Sequence, residues 1–158
     1  MIKHILHPIL NNKPLMYTLF ALYLAVLLRL TVLRDGLLPL HLLQGGANDL
    51  LPFAYYSRWL AKNPLNFLLR EFLGNVVGFV PLGAFAYWRR PETGLSRVLL
   101  TGASASASIE LLQYLLGVGR MSTGDLLFNT VGAVLGGALM CALLIDEKKA
   151  PDRKDPLC

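Results

Sequence analysis

Four long apolar runs, separated by short basic segments, dominate the chain and restrict what it can fold into. The first runs from Leu15 to Leu33 and is interrupted by Arg29. The others run from about Phe72 to Trp88, from about Val98 to Leu116 and from about Leu126 to Ile145. At 1.5 Å of rise per residue, runs of this length cross the hydrocarbon core of a bilayer as helices. Backbone amides and carbonyls inside lipid must be satisfied within the element that carries them, which leaves helices as the natural solution. The chain has 158 residues, of which 54% are hydrophobic and only 16% charged. A single domain of that size cannot hide so much apolar surface in water. The expected fold is therefore an all-α integral membrane protein with about four transmembrane helices. Residues 1–14 form an N-terminal segment, 15–145 the transmembrane domain and 146–158 a charged tail.

The net charge of +5 does not suggest nucleic acid, because the basic residues flank apolar runs rather than forming a stripe of their own. Lys3, Lys13, Arg89, Arg90, Arg97, Lys148, Lys149, Arg153 and Lys154 fall on one side of the predicted membrane. Arg34, Arg58, Lys62, Arg70 and Arg120 fall on the other. The richer side is expected to be cytoplasmic, which places both termini there, in a bacterial plasma (inner) membrane. No small-x-small cleavage site follows the first run, so it reads as an uncleaved span. The connection from Arg34 to Arg70 then faces outward. It carries Pro39, Pro52 and Pro64 as well as Phe53, Tyr55, Tyr56 and Trp59, a composition suited to an interfacial or re-entrant helix. Cys141 and Cys158 lack metal-ligand spacing and are expected to be a packing thiol and a tail residue.

Polar residues interrupt the apolar runs in a regular way. Glu71 and Asn75 lie one turn apart at the start of the second, and Gly74, Gly78 and Leu82 continue that face. Glu110 and Gln113 share a face of the third with Ala103, Ser106 and Gly117. Asp125 and Asn129 open the fourth, followed on one stripe by Gly132 and Gly136. Following chain direction through the four spans brings all of these, with Arg29 and Arg120, to one depth near the outer face. Glu71 and Asp125 also suit a helix N-terminus on electrostatic grounds. Asn75, Gln113 and Asn129 also suit interhelical hydrogen bonding. Arg29 and Arg58 are equally able to snorkel to the interface. The pairs Gly74–Gly78 and Gly132–Gly136 read as packing motifs. Glu110 is the hardest to treat as scaffold, since an ionisable residue within a span marks a functional site by default. It is expected to turn inward and meet Arg120, Arg29 or an amide.

His4, His7 and His41 lie outside the runs, and the chain contains no HExxH, GxSxG, P-loop or CxxC motif. Gly117-Val118-Gly119-Arg120 has arginine where a glycine-motif intramembrane protease needs aspartate. No metal or cofactor is expected. If the protein were an enzyme acting on a lipid headgroup, Glu110 and Asp125 would be its acid and base, but nothing marks a nucleophile beside them.

Three blocks resemble the VanZ-like membrane proteins. Asn48-Asp49-Leu50-Leu51-Pro52-Phe53 is similar to that family's segment after the first span. Gly74-Asn75-Val76-Val77-Gly78-Phe79-Val80-Pro81-Leu82-Gly83 looks like its Asn-x-x-x-Phe-x-Pro-Leu-Gly block. Ile109-Glu110-Leu111-Leu112-Gln113, Gly119-Arg120, Asp125 and Asn129-Thr130-Val131-Gly132 match its third block in order and spacing. Ser122-Thr123-Gly124 departs from it, where a more apolar lead-in is expected. The resemblance covers about Asn48 to Gly137. It implies a role in resistance to the lipoglycopeptide teicoplanin in Gram-positive bacteria. The expected binding set is Asn75, Glu110, Gln113, Arg120, Asp125 and Asn129, with membrane lipids, a lipid-linked cell-envelope precursor or a lipoglycopeptide as partner. Two alternatives stand beside it: the headgroup enzyme, and a structural subunit that packs against a larger membrane protein through Gly132 and Gly136.

Overall fold

In the computed structural model the four apolar runs form four helices. The structure describes residues 8–33, 47–49, 57, 60–62, 64–118 and 120–148. The helices are α1 (Lys13–Thr31), α2 (Leu73–Arg89), α3 (Gly94–Leu116) and α4 (Thr123–Lys148). Local chemistry sets their ends. The Asn12 side chain accepts the Leu15 amide at 3.1 Å to cap α1, with Pro14 in its first turn. A 3₁₀ turn, Pro91–Thr93, separates α2 from α3. α3 ends at Gly117, whose φ of 65° is open to glycine at little cost. There the Gly117 amide reaches the Tyr114 carbonyl and the Val118 amide reaches the Gln113 carbonyl, a Schellman ending.

By length and composition, α1 and residues 123–145 of α4 are able to cross a membrane. The other two fall short of that measure for identifiable reasons. α2 has 17 residues, about 26 Å of helix against roughly 30 Å of hydrocarbon. It is prolonged at its start by a π-helical turn, Phe67–Phe72. α3 is long enough, but its serines, Glu110 and Gln113 dilute its hydropathy.

Antiparallel order along the chain is fixed by contacts at both ends. At one end Trp88 Nε1 donates to the Leu10 carbonyl at 3.0 Å and the Arg89 guanidinium lies over the Tyr17 ring. At the other, Asn75 of α2 meets Asp125 of α4, and Gln113 of α3 meets Thr31 of α1. Helices α2 and α4 pack backbone against backbone. A Cβ on Gly83 would run into the Ala133 carbonyl, one on Gly132 into that of Val76, and one on Gly136 into that of Val80. On the α3 side, a Cβ on Gly137 would crowd the Val98 side chain. Gly132 and Gly136 are thus packing residues, as their spacing predicts. Gly74 and Gly78 are not: a Cβ at Gly78 would meet nothing within 4 Å.

α1 stands apart from this trio. It leans on α2 through an aromatic cluster in which Phe20 stacks on Phe85 at 3.7 Å and Tyr17 meets Phe85 and Trp88 edge-on. Tyr23 donates to the Gly78 carbonyl at 2.8 Å. That acceptor is one residue past the Val77 carbonyl, which Pro81 deprives of its helical donor. Large apolar side chains line much of the outward surface. Leu22 is 61% exposed, Leu100 64%, Val77 60% and Leu139 59%.

Two details differ from the sequence expectation. A short parallel strand pair, β1 (Ala47–Asp49) with β2 (Arg120–Ser122), joins the connection after α1 to the connection between α3 and α4. Cys141, expected as a packing thiol, is disulfide-bonded. The aromatic stretch with Phe53, Tyr55, Tyr56 and Trp59, expected as an interfacial or re-entrant helix, lies outside the described residues.

Candidate functional site

The polar residues singled out in the sequence gather at the end of the bundle where α1 and α3 finish and α2 and α4 begin. Ser122 is the hinge of the arrangement. It precedes α4 by one residue, and its side chain accepts the Asp125 amide at 3.4 Å, the N-cap bond expected three residues into a helix. In a reciprocal capping box the acidic residue at that third position returns a bond to the cap's own amide. Here the Ser122 amide donates to Glu110 Oε2 on α3, at 2.7 Å. Glu110 has taken the place of the local acid. The Asp125 carboxylate accepts a bond from Asn75 Nδ2 on α2. The first turn of α4 is thereby tied to both neighbouring helices.

One turn deeper, Asn129 Nδ2 donates to Ser106 Oγ on α3 at 2.9 Å. Both residues are buried, Ser106 completely. Asn129 Oδ1 is buried without a partner. Gln113 Nε2 donates to the Thr31 carbonyl at 3.1 Å, meeting an acceptor that the end of α1 leaves free. The backbone of Arg120 lies in β2, opposite Ala47. Its side chain lies outside the described part of the structure, as does that of Glu71.

Four of the six predicted residues therefore act through helix-to-helix hydrogen bonds, and Glu110 holds a loop amide. Of the three partners expected for Glu110, the amide is the one found. The Arg29 guanidinium instead donates to the Leu33 carbonyl beyond the end of α1. Ser122 and the β1 strand were not singled out as functional, although the Ser-x-x-Asp spacing of Ser122 and Asp125 is a capping signal. Ser106 lay on the predicted polar stripe, but its partner across the interface was not evident from one helix alone. Among the described residues no group of three His, Cys, Asp or Glu side chains is placed to hold a metal ion.

Fold and site together define a helical bundle with an apolar exterior and one internally bonded polar end. Residues 17–145 match the family model described as VanZ/LLP1, and the chain belongs to that family. It is 31% identical over 129 residues to Protein VanZ of Enterococcus faecium, a match covering 79% of this chain and 73% of that protein. No solved structure matches it.

Proposed function

We propose that the chain crosses the bacterial plasma membrane four times, with both termini in the cytoplasm, and that its polar end binds an amphiphile at the outer leaflet. The ligand class is a lipid-linked cell-envelope molecule or a lipoglycopeptide, and the outcome is protection against glycopeptides such as teicoplanin. One observation carries this reading. Polar groups from three helices and two connections converge at one end of a bundle whose outside is apolar. Lys13, Arg89, Arg90 and Arg97 belong to the opposite end, which suits a cytoplasmic surface. In this arrangement Glu110, Asp125, Asn75 and Ser122 are positioning residues: they fix the backbone on which Arg120 stands. Arg120 is the group that contacts the ligand, since a guanidinium pairs strongly with phosphate or carboxylate oxygens.

The test compares teicoplanin susceptibility of a susceptible Gram-positive host expressing the wild-type chain with one expressing Arg120→Ala at equal membrane abundance. The expected result is protection by the wild type and its loss in the variant. Teicoplanin stripped of its acyl chain should be opposed less well than the intact drug. Full protection by Arg120→Ala would overturn the assignment of Arg120, and no protection by the wild type would overturn the function.

A further inference from the structure

The bond between Asn129 and Ser106 leaves something over. Asn129 is 4% exposed, and its Oδ1 has no donor. Burying an unpaired carboxamide oxygen is unfavourable, and such groups in folded proteins are normally met by water, an ion or a ligand. Glu110, one turn above Ser106 on the same face of α3, is 5% exposed. Its carboxylate accepts from one neutral amide, that of Ser122. A carboxylate withdrawn from water favours a counter-charge close by. Ser106, whose partner Asn129 carries an oxygen without a donor, and Glu110, a carboxylate held by a neutral group, thus lie one helical turn apart on α3.

We propose that this interface holds a monovalent hard cation, sodium by class, between the Ser106–Asn129 rung and the Glu110–Ser122 rung. Carboxamide, hydroxyl and carboxylate oxygens are the donors such ions take. Glu110 supplies the negative charge within the interface, and the neighbouring Asp125 carboxylate, bonded to Asn75, adds to the field that attracts a cation. The ion sits beneath the polar end, within the bundle, and ties α3 to α4 below the turn that carries Arg120. The site depends on packing alone and not on what binds outside, so it stands or falls separately from the amphiphile reading.

The experiment is thermal unfolding of the purified full chain in detergent, in sodium, potassium and choline chloride at one ionic strength. A cation that binds only the folded state raises the midpoint in a saturable way. The expected rise with sodium is roughly 3–6 °C at ten times its dissociation constant, with little or none in choline. Asn129→Leu should abolish the rise, and Ser106→Ala should move it to higher sodium concentration. Thr101→Ala, on α3 but bonded only to the Arg97 carbonyl, should keep it. Should Asn129→Leu fail to fold, Ser106→Ala carries the test. Identical midpoints of the wild type in the three salts would overturn the proposal, leaving water as the occupant. An undiminished sodium response in Asn129→Leu or Ser106→Ala would overturn it as well.

Discussion

At the residue scale the telling feature is Glu110. A buried acid in a helix invites a catalytic or ligand-binding reading, yet its neighbour is the Ser122 amide. What Glu110 supplies to the turn is an acceptor at a fixed point, so in choline chloride, with no sodium to bind, the acceptor rather than the charge should matter for stability. Glu110→Gln keeps an oxygen there and should cost less than about 1 kcal/mol. Glu110→Ala leaves a buried amide unpaired and should cost about 1–3 kcal/mol. Thermal or denaturant unfolding in detergent separates the two. Equal losses in both variants would show that the negative charge itself holds the turn. The sequence contained half of this story. Position and burial of Glu110 followed from its place near the C-terminal end of an apolar run. Its partner did not, because a backbone amide has no residue signature and Ser122 reads first as a departure from the family pattern.

Elements differ in how closely they may approach, and glycine controls that distance. Gly132 and Gly136 let α4 touch the carbonyls of α2, whereas Gly78 faces open space on the same α2. The four glycines of the two GxxxG-like pairs look alike in sequence. The spacing alone identifies a stripe of small residues but not which stripe another helix meets. Gly136→Ala should therefore destabilise by about 1–3 kcal/mol through overpacking. Gly78→Ala should be neutral, or stabilise by up to about 1 kcal/mol through helix propensity. Unfolding midpoints of the two variants, measured side by side, check both signs. Helix positions themselves were legible from the apolar runs to within a few residues, because the length of a run largely sets the length of a helix. The strand pair was not, since three paired residues between distant connections leave no periodicity to read.

For the whole molecule, the prediction concerns orientation. In a chain with both native cysteines replaced by alanine, Met121→Cys should react with a membrane-impermeant maleimide on intact cells. Arg90→Cys should react only after the membrane is opened. The reverse pattern would place the polar end in the cytoplasm and remove its access to envelope molecules made or displayed outside. The strand pair described above also has a bearing on when this end takes shape. β1 is parallel to β2, and the whole of α2 and α3 intervenes between them as the crossover that parallel strands require. During synthesis β1 emerges early and waits for its partner until both intervening helices have been made. Ser122, the residue that engages Glu110, belongs to that late partner. In the proposed four-span topology the helices enter the bilayer one after another while the polar end stays unassembled. A chain stopped before Ser122 would hold three helices and no lock at all.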